Sequence, residues 1–159
     1  MHATIWLTGL AGAGKTTLGR RLARRLHGVL VDGDELRARA GDRDFSAAGR
    51  RRQARRAIAA AQAARVGGRI AVVALVSPYR DDRRLARQRL RPFIEVHVAT
   101  PAAIRARRRS LWAGARYQRP AAPEAVVIGC GPASRALGIV LQACQQFGGA
   151  RPSRILHQA

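Results

Sequence analysis

Gly9-Leu10-Ala11-Gly12-Ala13-Gly14-Lys15-Thr16-Thr17 decides the fold. The stretch is G-x-x-x-x-G-K-[ST], a phosphate-binding loop pattern. Its flanks agree with it. Ala3-Thr4-Ile5-Trp6-Leu7-Thr8 reads as a short buried strand, and Thr17 to Leu26 as a helix with Leu18, Leu22 and Leu26 one turn apart. The glycines let main-chain N–H groups converge on a phosphate, and the helix N-terminus adds partial positive charge. In that setting Lys15 reaches the β- and γ-phosphates of a nucleotide such as ATP, and the Thr16 hydroxyl is a ligand for Mg²⁺. All nine residues, Gly9 through Thr17, are therefore the expected nucleotide cradle.

Composition sharpens this reading. Lys and Arg together number 30, and a single one of them, Lys15, is lysine. Arginine serves wherever any cation suffices. Lysine survives where a compact ammonium on a flexible stem is required. The formal net charge of +21 predicts non-specific attraction to polyanions. No helix-turn-helix, zinc or aromatic RNA-binding pattern accompanies it, so no specific nucleic acid is expected. The longest apolar run, Ile70 to Val76, has strand length, so no membrane span is expected. No signal-peptide pattern is seen and two isolated cysteines make no disulfide framework, so a cytoplasmic location is the default. A homodimer is left open.

Farther along, Val29-Leu30-Val31 reads as a second strand ending in Asp32-Gly33-Asp34-Glu35-Leu36-Arg37. Carboxylates at the C-terminal end of a parallel strand lie where ligands bind. One of Asp32 and Asp34 can orient an attacking hydroxyl and take its proton; the other can hold metal-bound water. Arg37 can pair with a phosphate or sulfate. Taken alone, Asp32-Gly33 is a common turn dipeptide, and Ala38 to Asp44 reads as a polar loop. Ser46 is a helix N-cap for Ala47 to Val66, which Gly67-Gly68 stops. Arg69 to Val76 is a continuous apolar strand. It ends in Ser77-Pro78-Tyr79-Arg80, where Tyr79 can stack on a base and Arg80 can bind an anion. Arg83 to Arg91 reads as a basic helix, Pro92 to Ala99 as a fourth strand, and Thr100-Pro101 as the start of a helix to about Arg109. Residues 110–123 are irregular, at the place of a lid. Ala125 to Ile128 is a fifth strand and Ala133 to Phe147 a closing helix.

This alternation predicts an α/β fold: a three-layer P-loop NTPase with a five-stranded parallel sheet flanked by helices. The expected domain is 1–147, with a lid at about 110–123 and a tail at 148–159.

Four segments together resemble the adenylylsulfate (APS) kinase family. They are Ile5 to Thr17, Asp32-Gly33-Asp34 with Arg37, Phe45-Ser46 with Arg50, Arg55 and Arg56, and Ser77-Pro78-Tyr79-Arg80. The resemblance implies transfer of the γ-phosphoryl of ATP, with Mg²⁺, to the 3′-hydroxyl of adenosine 5′-phosphosulfate. It assigns Asp34 to the substrate hydroxyl. It makes Arg37, Phe45 and Arg50 substrate contacts, Phe45 stacking on adenine. Ser77 matches a serine described in the family as a phosphoserine intermediate, a role that direct in-line transfer does not need. With Lys15, Asp34 and Ser77 as the catalytic set, the expected acceptor site is Asp32, Arg37, Phe45, Arg50, Gln53, Ser77, Pro78, Tyr79 and Arg80.

The chain also departs from the family. Glu35 replaces the usual Asn, Gly49 the usual Asp, and Gln53 an Asn. Ser110 to Ala115 lacks the lid lysines, and the Phe-Thr-Gly stretch that follows in the family is missing, leaving Arg108, Arg109, Arg116 or Arg119 as substitutes. Negative charge at Glu35 is expected to repel an anionic acceptor. Two alternatives follow: a kinase of the same fold acting on another small alcohol, or a degenerate P-loop protein binding nucleotide or nucleic acid.

Overall fold

The computed structural model describes residues 3–108 and 116–147. Arg109, at the expected end of the helix after Thr100-Pro101, and residues 110–115 of the expected lid, Trp112 among them, lie outside the described residues, as does the expected tail, 148–159.

Five parallel strands stand in the order β2-β3-β1-β4-β5: β1 (Thr4–Thr8), β2 (Val29–Asp32), β3 (Ala71–Ala74), β4 (Phe93–Val98) and β5 (Ala125–Val127). β1 is central, with Ile5 beside Val72 of β3 and Ile94 of β4. Alternation along β1 builds two cores. Ile5 and Leu7 pack under α1 (Lys15–Arg25) and α6 (Ala133–Phe147), against Leu18, Leu22, Val140 and Ala143. Trp6 points to the opposite face. There it meets the core of α3 (Ala47–Val66) and α4 (Arg80–Arg89), including Ala57, Ile58 and Leu90. Both sheet faces are covered, which is why β1 and β3 contain no exposed residue. Each fully buried aliphatic side chain adds about 1.5–3 kcal/mol.

The architecture matches the expectation, with local differences. An additional helix, α2 (Gly33–Ala40), occupies the segment read as a polar turn and loop. Asp32 is its N-cap: the carboxylate accepts from the N–H groups of Asp34 (2.9 Å) and Glu35 (3.3 Å). Helix α1 starts at Lys15 rather than Thr17, and α4 at Arg80 rather than Arg83. Strand β3 is shorter than the apolar run around it. Helix α5 (Ala102–Arg107) follows Thr100-Pro101, but its N-cap is Pro101 and it ends short of Arg109. The Thr100 hydroxyl donates to the Ala13 carbonyl and accepts from the Gly129 N–H instead of capping the helix. Among the described residues no helix is long and apolar enough to cross a membrane.

Candidate active site

A cavity of about 580 Å³ opens at the C-terminal ends of β1, β2 and β3. The glycine-rich loop forms its floor. Gly14 caps α1 with a left-handed backbone (φ 98°), which a glycine adopts without strain. Lys15 follows in the first turn and is 9% exposed. Its ammonium donates to the Leu10 carbonyl at 2.8 Å, across the loop it completes. Burial pushes Lys15 down to about 8, against the pull of Asp34 and Asp32. Ala11, Gly12, Gly14, Lys15, Thr16 and Thr17 line the cavity. Gly9, Leu10 and Ala13 shape the loop from behind; the Ala13 carbonyl accepts from Thr100 Oγ1 at 2.7 Å.

Thr16 Oγ1 donates to Asp32 Oδ2 at 2.6 Å. One carboxylate thus ties the loop, the end of β2 and the start of α2 into a corner. Hydroxyl and carboxylate oxygens side by side are hard donors. Mg²⁺ keeps several waters and takes only one or two protein ligands beside phosphate oxygens, so this sparse pair fits it. Among the described residues no group of three or more His, Cys, Asp or Glu side chains is arranged to hold a metal ion. Asp34, one helical step on, lines the cavity opposite Lys15. Its carboxylate makes no hydrogen bond among the described residues.

The far wall is built around Phe45. Its ring is exposed and lines the cavity between two guanidinium groups, Arg37 at 4.5 Å and Arg50 at 5.7 Å from the ring centroid. Both arginines also hold the loop main chain. Arg37 donates to the Asp44 carbonyl (2.8 Å), and Arg50 Nε to the Phe45 carbonyl (2.9 Å). Gln53, buried, donates to the Gly33 carbonyl at 2.7 Å and so supports the first turn of α2. The loop is anchored by Asp42, which pairs with Arg56, and by Asp44, which accepts from Arg52 at 2.7 Å. Hydrogen bonds from Ser46 hold the Asp44 carboxyl down to about 2.

Ser77 and Pro78 form a third side of the cavity. Ser77 is 2% exposed, and its hydroxyl accepts from Trp6 Nε1 at 2.8 Å. Tyr79 and Arg80 do not line the cavity. Tyr79 lies beneath the Arg51 guanidinium (5.0 Å), while Arg80 Nε donates to the Arg119 carbonyl at 3.2 Å. Glu35 also points away, toward Arg39 at 3.8 Å, with both side chains largely exposed. The repulsion expected from Glu35 is therefore aimed at solvent.

Two further contributors carry no motif. Arg108 donates to the carbonyls of Gly12 and Gly129, both at 2.8 Å, bridging the glycine-rich loop to the turn after β5. That turn, from Ile128 to Ala133, closes the other end of the cavity. From sequence, Arg108 is legible only as a substitute for the lid lysines, because nothing local shows that β5 returns beside the loop. Tyr117, whose hydroxyl lies 3.0 Å from Thr8 Oγ1, was likewise legible only as part of a lid.

Comparison with known proteins agrees with this geometry. A family model described as adenylylsulphate kinase matches residues 1–119. The chain is 46% identical over 102 residues to the adenylyl-sulfate kinase of Burkholderia ambifaria, covering 59% of this chain and 56% of that one. It is 35% identical over 153 residues to the adenylyl-sulfate kinase of Penicillium chrysogenum, covering 76% and 72% respectively. The structure of the Mycobacterium tuberculosis APS kinase in complex with AMPPNP and APS superposes with a TM-score of 0.82. That match has 26% identity and covers 91% of this chain and 98% of that one. The chain spans little more than half the length of the Burkholderia relative. A phosphate loop with its lysine, a threonine–carboxylate corner and an arginine-flanked phenylalanine share one cavity, and with the match over residues 1–119 they place the chain in the adenylylsulfate kinase family.

Proposed function

We propose that the chain transfers the γ-phosphoryl of ATP to the 3′-hydroxyl of adenosine 5′-phosphosulfate. The observation that carries this reading is one cavity lined by both Lys15 of the phosphate loop and Phe45 bracketed by Arg37 and Arg50. A planar ring beside two guanidinium groups suits a purine bearing an anionic group. In this reading residues 1–147 are the kinase domain, with a lid at about 110–123.

Loop amides and Lys15 hold the β- and γ-phosphates. Thr16 and Asp32 would hold a magnesium ion, which would supply charge neutralisation on the phosphate oxygens. Asp34 accepts the proton of the acceptor hydroxyl as its oxygen attacks in line and ADP leaves. Arg37 and Arg50 neutralise the acceptor's sulfate and phosphate, and Phe45 covers its base. Asp32 and Gln53 fix the turn that carries Asp34. Ser77 and Pro78 wall the acceptor in. Tyr79 and Arg80 support that wall from outside the cavity.

The test is ³¹P NMR of a reaction with Mg-ATP and APS. ADP and a new 3′-phosphomonoester resonance are expected in equal amounts. ATP consumption without that resonance would reject the acceptor. A second reading, phosphorylation of another small alcohol, is favoured by one observation: Phe45 is the only aromatic ring on the cavity wall among the described residues. A panel of sugar and nucleoside acceptors separates the two readings.

A further inference from the structure

Ser77 is one of two non-glycine residues with positive φ among the described residues, at 41°. A left-handed backbone beneath a Cβ persists only where its surroundings over-determine it. Two buried donors do so here. Trp6 holds the Ser77 hydroxyl, and Arg83 donates to the Ser77 carbonyl at 2.6 Å. Arg83 is 3% exposed and engages all three of its nitrogens. Nε donates to Glu95 on β4 at 2.7 Å, and the remaining terminal nitrogen to the Gln118 carbonyl at 2.7 Å.

Gln118 answers from the other side of the bend. Its N–H donates to the Pro78 carbonyl at 2.9 Å. Its Oε1 accepts from the Arg80 N–H at 2.8 Å, an amide in the first turn of α4 with no partner inside the helix. The bend at 77–80 is thus held to β4 through Glu95 and to the returning chain through Gln118. That bend makes Ser77 and Pro78 part of the cavity wall, although neither Arg83 nor Gln118 lines the cavity.

We propose that Arg83 is a positioning residue for the acceptor: its three-way fork, closed by Gln118, holds the Ser77–Pro78 bend in the conformation that binds the acceptor. This rests on the reading of the cavity given under Proposed function. A lysine ammonium has no rigid planar fork and cannot reproduce three divergent bonds. The nucleotide side, built on α1 and the glycine-rich loop, receives no bond from Arg83.

The experiment compares wild type, Arg83→Lys and Gln118→Ala in two measurements. The first is calorimetry with APS and, separately, with Mg-AMPPNP. Arg83→Lys is expected to lose about tenfold in APS affinity, as for one or two charge-assisted hydrogen bonds, with AMPPNP affinity within about twofold. Gln118→Ala, on the surface and outside the core, is expected to shift APS affinity in the same direction by about threefold. Equal losses for both ligands, or no loss of APS affinity in either variant, would overturn the proposal. The second measurement is amide hydrogen exchange of the 76–83 segment, expected to quicken about tenfold in Arg83→Lys. Unchanged exchange there overturns the proposal whatever the acceptor is. If Arg83→Lys does not fold, Gln118→Ala decides both measurements. Wild type that binds AMPPNP but not APS rejects the acceptor instead, and the exchange result then judges Arg83 alone.

Discussion

Asp32 and Thr16 meet at 2.6 Å, and the same Asp32 carboxylate caps α2 through the N–H groups of Asp34 and Glu35. One side chain therefore has an electrostatic duty at the phosphate loop and a structural duty at a helix end. Substitution separates them. Asparagine is as good an N-cap as aspartate but carries no charge. Asp32→Asn is expected to keep its unfolding midpoint, with turnover down by about 10–100-fold and a raised magnesium requirement. Asp32→Ala is expected to lose about 1 kcal/mol of stability as well. Urea unfolding alongside magnesium titration of turnover checks both.

Lys15 is held near 8 by burial, below its usual 10.5. The unliganded protein thus releases this proton as pH rises through about 8, and the cradle loses its cation. Nucleotide affinity is expected to be flat below that pH and to weaken above it. The stability sign is opposite. Between about 8 and 10.5 the unfolded chain holds the proton and the folded chain does not, so this group's contribution to stability rises with pH. Lys15→Ala is expected to cost about 10²–10³-fold in turnover and to abolish the pH dependence of nucleotide binding.

The Ser77 hydroxyl is enclosed and already paired with Trp6. Ser77→Ala is expected to retain turnover within about tenfold, where loss of a true covalent nucleophile costs about 10⁶-fold. It is expected to lose about 1–3 kcal/mol of stability, because the Trp6 N–H is left without a partner. Mass spectrometry during turnover is expected to find no phosphate on the peptide containing Ser77.

Gly49 stands where the family usually has Asp, and the backbone here leaves no room for a side chain. A Cβ there lies 2.2 Å from the Asp44 carbonyl oxygen and 2.6 Å from its carboxyl carbon. Gly49→Ala is expected to destabilise by about 1–3 kcal/mol and to raise the acceptor KM by displacing the Asp44–Phe45 loop. Unaltered unfolding would refute the clash.

Glu35→Asn, a change to the family's usual residue, is expected to alter acceptor affinity by less than about twofold. The Glu35 side chain faces Arg39 and solvent, where an exposed pair contributes about 0–1 kcal/mol.

Much of this site was legible before any fold was known, because the chemistry constrains the letters. The glycine spacing, the lone lysine and the apolar runs of β1 and β3 follow from phosphate geometry and from burial on both faces. Helix α2 was missed because Asp-Gly favours a turn locally. What makes it a helix is the Asp32 cap together with Gln53, which reaches the Gly33 carbonyl from α3. Tyr79 and Arg80 read as ligand contacts from their types alone. Their displacement to the outside of the wall depends on Arg51 and on the 117–119 segment, which are distant in sequence. Glu35 misled for a similar reason: a helix sends neighbouring side chains in different directions, so Asp34 faces the cavity and Glu35 does not.

The lowered proton affinity of Lys15 has a practical outcome. Near neutral pH it is the side-chain amine with appreciable free-base character, and no other side chain in the sequence carries a primary amine. Acylating reagents tethered to a triphosphate have one side-chain amine to modify, so a stable amide at the mouth of the cradle marks Lys15, whereas the free Cys130 thiol on the same wall gives only a labile thioester.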